Sequence, residues 1–317
     1  MTTSPSSHAP RRLAERTVLQ ETVAVAAVTF DRPDDVQTLL EALSRQDHSI
    51  ASVALVDSGT QDVAALAAGS DAPVNYIRSA TNLGGAGGFS LAILSAMASG
   101  AEWIWIMDDD AHPEDTGVLS SLLAAARSRN LDVVVPLIVA PTDSSRLSFP
   151  FRVEGRTTHD RAQVEKLGFI PGTAQFFNGA LIRSDVFFRV GLPDLRLFIR
   201  GDETDFMLRL RRAGIAFGTV TTVALSHPPG WAEVQQVLGD RLHVLVPETE
   251  FKRFYFFRNR GHLTRRYLRG RSLVADVVGY PVYYLRRGDV RGLTSWARAY
   301  LAGVRGRSFG PPSDFGF

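Results

Sequence analysis

The chain has 317 residues, a length that favours one large domain with an appendage, or two domains. Hydrophobic residues make up 45% of it and charged residues 21%, and the net charge is +2, which is ordinary for a folded globular protein. There are no cysteines, which excludes disulfides, thiolate metal sites and cysteine nucleophiles.

The two ends of the chain have biased compositions. Residues 1–19 are rich in Ser, Pro and Arg and lack the apolar core of a signal peptide, so we expect a disordered leader. Residues 251–317 are basic and aromatic, and such a tail can face phosphates, nucleic acid or anionic lipid, or be a solvated basic face. No apolar stretch is long enough to predict a transmembrane helix.

The first half of the chain alternates between strand and helix patterns. Apolar, β-favouring runs predict strands at residues 22–30, 52–59, 74–79, 103–107 and 132–139. Helical patterns separate these runs and include residues 33–46, about 87–99 and 114–130. This alternation predicts an α/β fold with a mostly parallel central sheet flanked by helices.

The second half is less regular. We expect loops and a short hairpin over residues 140–175, and a strand at 175–184. A helix is predicted at 201–214, followed by a strand at 217–228 that leads to His227. From residue 251 onward the pattern is helical.

Polar side chains follow several predicted strands at their carboxyl ends. They are Thr29, Asp57, Asn82 and Asp108–Asp110. Because ligands of parallel α/β sheets bind beyond the carboxyl ends of the strands, the convergence of these residues predicts a binding site there.

The three consecutive aspartates Asp108–Asp110 end a buried strand. Crowded carboxylates resist joint ionisation unless a cation neutralises them, and hard oxygen ligands suit magnesium or manganese. We therefore predict a site for a metal and a diphosphate. The alternative is an acidic first turn for the helix that follows.

The glycine-rich segment TNLGGAGGF, residues 81–89, precedes a predicted helix. Glycines such as Gly84 and Gly85 let the backbone come close to a ligand, although a tight turn explains them equally well. The segment matches neither the dinucleotide fingerprint nor a Walker loop.

Two acids and a histidine complete the candidate chemistry. Asp202 and Glu203 begin a predicted helix, where a carboxylate can take a proton from an incoming hydroxyl or can merely favour the helix terminus. His227 follows a strand; a lone histidine is more often structural, but one paired with the aspartates can bind manganese.

These motifs, in this order, resemble those of the inverting, nucleotide-sugar-dependent glycosyltransferases of family 2, which have the GT-A fold. The match is closer to the actinobacterial galactofuranosyltransferases, and in particular to those that start the cell-wall galactan. It extends over residues 20–270 and rests on the following motifs: TFDRPDD (29–35), NLGGAGGF (82–89), WIMDDD (105–110), FNGA (177–180), PDLRLFIRGDE (193–203), SHP (226–228) and FRNRG (257–261).

The resemblance implies a role for each candidate residue. Asp108, Asp110 and His227 would hold Mn²⁺ or Mg²⁺, and Glu203 would be the general base, although many relatives have aspartate there, which leaves Asp202 as the other candidate. The residues implied in donor binding are Thr29, Arg32, Asp57, Asn82, Gly84, Gly85 and Asp109. Either Arg258 or Arg260 would meet a diphosphate.

The implied reaction is transfer of galactofuranose from UDP-galactofuranose to a polyprenyl-diphosphate-linked GlcNAc–rhamnose acceptor, adding the first galactofuranose units of the galactan. A catalytic domain at 20–250 would carry it out, and the region at 251–317 would contact the acceptor or the inner face of the cytoplasmic membrane without spanning it. A basic face packed on another subunit of a homo-oligomer is the alternative for this region, and no nucleic-acid fold signature accompanies its arginines.

Two other functions compete with this interpretation. One is a rhamnosyl- or other hexosyltransferase of the same family. The other is a scaffold that binds a sugar nucleotide or a polyprenyl phosphate without catalysis.

Overall fold

The computed structural model describes residues 21–237, 242–267 and 273–310. The predicted leader, residues 1–19, lies outside the described residues. Within the three described ranges, no helix combines the length and the apolar character needed to cross a membrane.

One large mixed sheet forms the centre of the fold. Its strands are β1 (Val23–Thr29), β2 (Ile50–Asp57), β3 (Val74–Arg78), β4 (Trp103–Asp108), β5 (His112–Pro113), β6 (Val133–Ala140), β7 (Asp143–Val153), β8 (Arg156–Asp160), β9 (Phe169–Pro171), β10 (Asn178–Arg183) and β11 (Phe217–Ser226). Two further strands, β12 (Val234–Gln236) and β13 (His243–Leu245), pair with each other in a small separate sheet.

The main path through the sheet runs β3–β2–β1–β4–β10–β6–β11–β5. Strands β3, β2, β1 and β4 are parallel neighbours, and β10 runs against both β4 and β6. Strand β11 is again parallel to β6. The predicted α/β fold with a mostly parallel centre is therefore confirmed, with one antiparallel strand inserted in its middle.

Some helices cover both faces of this sheet, and others form the C-terminal region. They are α1 (Pro33–Ser44), α2 (Ala64–Ala68), α3 (Gly84–Ala98), α4 (Val118–Arg129), α5 (Arg161–Glu165), α6 (Ser184–Val190), α7 (Asp202–Arg212), α8 (Glu250–Tyr267), α9 (Tyr280–Arg286) and α10 (Val290–Val304). Short 3-10 turns lie at Leu195–Leu197 and Trp231–Glu233, and a π-helical turn at Ala275–Gly279 leads into α9.

Burial of β1 on both faces explains its unbroken apolar sequence. Val23 and Val25 pack into a core with α1 and α4, whereas Ala24 and Ala26 pack into a second core with α3 and α7. All four side chains are 0% exposed. A strand that alternates between two cores has no polar face, which is the arrangement that the sequence predicted.

Two regions differ from the expectation. Residues 140–175 form a long hairpin of β7 and β8 followed by α5 and β9, where we expected loops and a short hairpin. The helix predicted from residue 114 begins at Val118, because His112 and Pro113 instead pair with β11 as an added edge strand.

The glycines of the segment 81–89 lie within α3, which begins at Gly84 rather than near residue 87. Gly84 has a φ of 63°, and a Cβ there would lie 2.5 Å from the carbonyl oxygen of Phe198. A Cβ on Gly88 would lie 3.0 Å from Val28 of β1. These glycines thus allow α3 to pack closely against Phe198 and Val28. Their contact with a ligand stays a prediction.

The described parts of the C-terminal region, residues 251–267 and 273–310, are mostly helical, as predicted, and α8 and α10 touch backbone to backbone. A Cβ on Gly303 would lie 1.8 Å from the carbonyl oxygen of Arg258, and one on Gly261 would lie 2.1 Å from that of Tyr300. The two helices can approach this closely only because neither position carries a side chain. Helix α8 begins at Glu250, next to the predicted domain boundary, which itself stays a prediction.

We expect Gly303→Ala to destabilise the protein by about 1–3 kcal/mol, because the added methyl group must push α10 away from α8. The measurement is the Tm by calorimetry, compared with the wild type. Gly230→Ala is the matched control, since a Cβ at Gly230 has no atom within 4 Å. Equal Tm values for the two variants would contradict the close contact of the helices.

Candidate active site

The carboxyl ends of three neighbouring strands bring the first candidate residues together. Strand β1 lies between β2 and β4, with Thr29 paired to Asp57 and Val28 paired to Asp108. The three aspartates after β4 therefore lie beside the end of β1, as the sequence predicted.

Asp109 is held by residues at and after the end of β1. The hydroxyl of Thr29 donates to Asp109 Oδ2 at 2.8 Å, and Arg32 NH1 lies 3.0 Å from Asp109 Oδ1. The same Arg32 atom forms an ion pair with Asp110 Oδ2. Arg32 thus supplies positive charge to two of the three aspartates, and its own pKa is raised by them, against the effect of burial.

The three carboxylates differ in their electrostatics. Burial, together with repulsion from the other two aspartates, raises the pKa of Asp108. Burial also raises the pKa of Asp109, against the opposing effect of Arg32. The pKa of Asp110 is lowered despite its burial, because His227 and Arg32 both favour its ionised form.

A divalent cation fits this group of residues. Asp108, Asp109 and Asp110 each offer an oxygen, and these oxygens lie within 4.8 Å of one another. His227 Nε2 lies 3.2 Å from Asp110 Oδ1, yet that oxygen is buried and makes no hydrogen bond within the part of the chain that the structure describes. An imidazole nitrogen and a carboxylate oxygen this close together can serve as two ligands of one ion.

Asp57 is completely buried and already has three partners. Tyr76 donates to Asp57 Oδ2 at 2.8 Å, Arg78 lies 2.7 Å from the same oxygen, and the Gly59 amide donates to Oδ1 at 2.8 Å. The role in donor binding that the resemblance implies for Asp57 stays a prediction. Tyr76 and Arg78 were missed from the sequence, although Arg78 ends β3 beside Asp57 and could have been found by the same strand-end argument.

Asp31, also missed, ties the loop after β1 to the loop after β2. Its φ is 56°, and its Oδ1 accepts hydrogen bonds from the amides of Thr60 at 2.5 Å and Gln61 at 2.8 Å. The loop that carries Arg32 is therefore held at Asp31 to the loop after β2. A single aspartate in a polar loop gives no sequence signal for such a role.

Asn82 and Gly84 form the turn that starts α3, since Asn82 Oδ1 accepts a hydrogen bond from the Gly84 amide at 2.8 Å. A Cβ on Gly85 would lie 3.5 Å from Asp202 Oδ2. The glycine-rich segment is thus next to the start of α7, where the two candidate bases lie. Their contacts with a donor stay predictions.

The two acids at the start of α7 have different surroundings. Glu203 Oε1 accepts a hydrogen bond from the Phe176 amide at 2.5 Å, and Glu203 lines a cavity of about 120 Å³ with Gln175, Thr204 and Met207 among its neighbours. Burial raises the pKa of Glu203 to about 7, while the charge of His227 opposes the shift. Asp202 is 5% exposed, and burial raises its pKa to about 6.

Of the two arginines suggested for a diphosphate contact, Arg258 is bonded to backbone carbonyls, so the contact stays a prediction for Arg260. The side chain of Arg258 is 0% exposed, and its guanidinium donates to the carbonyls of Arg196, Leu197 and Ser308. Burial lowers its pKa to about 10. Arg260 forms an ion pair with the buried Asp276 at 2.6 Å.

Comparison with known protein families agrees with the motifs. The family model described as Glycosyl transferase family 2 matches residues 24–187. The chain is 40% identical over 295 residues to "Galactofuranosyltransferase GlfT1" of Mycolicibacterium smegmatis, covering 90% of this chain and 98% of the relative. It is 38% identical over 301 residues to the protein of the same name in Mycobacterium tuberculosis H37Rv, covering 93% and 99%.

Solved structures show the same fold at low identity. GalNAc-T7, with UDP, GalNAc and Mn²⁺, has a TM-score of 0.54 and 13% identity, and the match covers 90% of this chain but only 55% of that larger one. The mannosyltransferase PcManGT of Pyrobaculum calidifontis, in complex with GDP-Man and Mn²⁺, has a TM-score of 0.52 and 15% identity, covering 92% and 77%. These likenesses concern the GT-A-like fold alone.

The family model, the relatives and the fold lead to one classification. The model covers more than half of the chain, and the relatives match over nearly their whole length. The chain is therefore a glycosyltransferase that belongs to glycosyl transferase family 2, in the group that includes the mycobacterial galactofuranosyltransferases.

Proposed function

We propose that the protein transfers galactofuranose from UDP-galactofuranose to a polyprenyl-diphosphate-linked GlcNAc–rhamnose acceptor, with inversion at the anomeric carbon. The observation that supports this proposal is the Asp108–Asp110 cluster beside His227, whose charge also acts on the half-buried carboxylate of Glu203. The donor is inferred from the name of the 40% identical relative.

On the donor side, the residues of this chain would bind and orient the nucleotide. Asp108, Asp110 and His227 would hold Mn²⁺ or Mg²⁺, which would neutralise the diphosphate of the departing UDP. Thr29 and Arg32 fix Asp109, which would then face the ribose or the sugar of the donor. Holding these groups in place before the donor arrives avoids their reorganisation during the reaction.

On the acceptor side, we assign the general base to Glu203. Its pKa of about 7 allows it to be ionised at neutral pH and still accept a proton effectively. The adjoining cavity gives a hydroxyl access to this carboxylate. Asp202 is more deeply buried and lies against the glycine-rich segment, which suits a role in holding the site together.

We also propose that the C-terminal region touches the inner face of the cytoplasmic membrane, where a polyprenyl-linked acceptor resides. Four apolar side chains just before α9 are exposed by 42–59%: Leu273, Val274, Val277 and Val278. The exposed Arg286 and Arg287 follow at the end of α9. An apolar surface beside guanidinium groups suits the boundary between anionic head groups and lipid chains.

Purified protein mixed with UDP-galactofuranose, a divalent cation and a short-chain lipid-diphosphate GlcNAc–rhamnose acceptor should add one or two hexoses. The gain in mass should disappear with EDTA and return with excess Mn²⁺ or Mg²⁺, because the aspartates require a cation to hold the diphosphate. Mass spectrometry of the lipid measures this. Turnover of dTDP-rhamnose but not of UDP-galactofuranose would overturn the donor, and UDP binding without transfer from any donor would favour a scaffold.

Glu203→Gln should lower kcat by about 10²–10⁴-fold, because the amide cannot accept the proton of the acceptor hydroxyl. In the wild type, kcat/KM should fall as the pH drops below about 7, since the carboxylate must be ionised to act as a base. Glu102→Gln, on an exposed acid, is the matched control and should leave the rate unchanged. A large loss in Asp202→Asn together with an active Glu203→Gln would transfer the role to Asp202.

The variant Val274→Asp/Val277→Asp should lose binding to vesicles that contain phosphatidylglycerol, because each carboxylate opposes both the apolar contact and the anionic surface. Co-sedimentation of the protein with vesicles measures binding. Leu94→Asp is the control, an exposed apolar residue on α3 with 50% exposure. Wild-type protein that stays in the supernatant at low salt would contradict membrane contact and favour a subunit interface instead.

A further inference from the structure

The turn before α7, residues 197–201, has an unusual backbone. Phe198 and Arg200 have φ angles of 64° and 61°, and Gly201 has a φ of 119°. Residues other than glycine rarely adopt such angles, and a turn of this kind persists only where its surroundings hold it. Because Asp202 and Glu203 follow directly, the turn determines where both carboxylates lie.

The side chain of Asn259 on α8 bonds three residues of this turn. Its Nδ2 donates to the carbonyl oxygens of Leu197 at 2.9 Å, Ile199 at 2.8 Å and Arg200 at 2.6 Å. Asn259 is only 1% exposed, so its removal would leave carbonyl groups without their partner in a buried place. Among the described residues, every hydrogen bond of this side chain goes to the turn.

Two further contacts fix the turn from different sides. Arg258, the neighbour of Asn259, donates to the carbonyl oxygen of Leu197 at 3.0 Å. From the opposite side, the Ala86 amide of the glycine-rich segment donates to the carbonyl oxygen of Phe198 at 2.9 Å. The turn therefore lies between α8 and the start of α3, and it connects the C-terminal region with the proposed donor site.

We propose that Asn259 is a positioning residue for the transfer reaction: by holding the turn 197–201, it fixes the angle at which α7 presents Glu203 to the acceptor hydroxyl. The proposal rests on the role of Glu203 as the base. Small errors in the placement of a reacting group cost much of its effect, whereas binding of the nucleotide does not depend on that placement. Loss of Asn259 should therefore slow the chemical step and leave donor binding intact.

The test compares Asn259→Ala with Arg265→Ala in the full-length protein, with the Glu203→Gln variant in the same assay. Arg265 also lies on α8 and also donates to a carbonyl oxygen, that of Val304 at 2.9 Å, which is outside the turn. Asn259→Ala should lower kcat at least about tenfold with the KM for UDP-galactofuranose changed less than about twofold. Arg265→Ala should change neither.

Hydrogen exchange gives a measurement that does not depend on activity. In Asn259→Ala, amides within residues 196–206 should exchange faster than in the wild type, while those within 103–110 should be unchanged. Wild-type kcat in Asn259→Ala, a rise in KM that accounts for the whole loss, or the same pattern in Arg265→Ala would each overturn the proposal.

Two outcomes separate this proposal from the function on which it rests. If Glu203→Gln is as active as the wild type, the base assignment fails and the positioning role falls with it. If Glu203→Gln is slow and Asn259→Ala is not, the positioning role alone is wrong. Should Asn259→Ala fail to fold, Asn259→Ser takes its place: the serine hydroxyl can donate only one hydrogen bond to the turn, so a smaller loss of kcat at constant KM is expected, and an unchanged kcat would overturn the proposal.

Discussion

The repulsion among Asp108, Asp109 and Asp110 is the constraint around which the rest of the site is built. Three carboxylates at the end of a buried strand are stable together only where positive charge and hydrogen-bond donors balance them. Arg32 and Thr29 supply that balance from the end of β1, and His227 supplies it from the end of β11. The order of the sheet strands thus brings these partners next to a single cluster.

A second constraint acts on the acceptor side, where the candidate base depends on a turn with an unfavourable backbone. That turn is bonded to α8 on one side and to the glycine-rich start of α3 on the other. Several residues of the FRNRG motif in α8 accordingly have structural roles. Arg258 and Asn259 hold the turn, and Gly261 admits α10. Residues that resemble phosphate ligands in a sequence can therefore be committed to the backbone of a neighbouring segment.

Local patterns predicted what depends on local physics. The sequence predicted the strand β1 and the strand ends at Asp57 and Asp108. Burial on both faces gives each strand an unbroken apolar run, and parallel pairing requires a helix between successive strands. The hydrogen bonds from Asn259 to the turn 197–201 could not be predicted from the sequence. They depend on a contact between residues about sixty positions apart. The sequence around Asn259 does not show whether its side chain bonds a backbone turn or a ligand. For the same reason, the sequence did not show that Arg258 donates to backbone carbonyls.

The backbone contact between α8 and α10 has a consequence for how this region can change in evolution. Main-chain atoms at Gly261 and Gly303 set the separation of the two helices, so the side chains on their outer faces have no part in fixing it. Substitutions on those faces can change their charge and hydrophobicity to suit a different lipid or partner. The contact of Asn259 with the turn is kept. The least tolerant positions of the C-terminal region are thus the ones with no side chain at all.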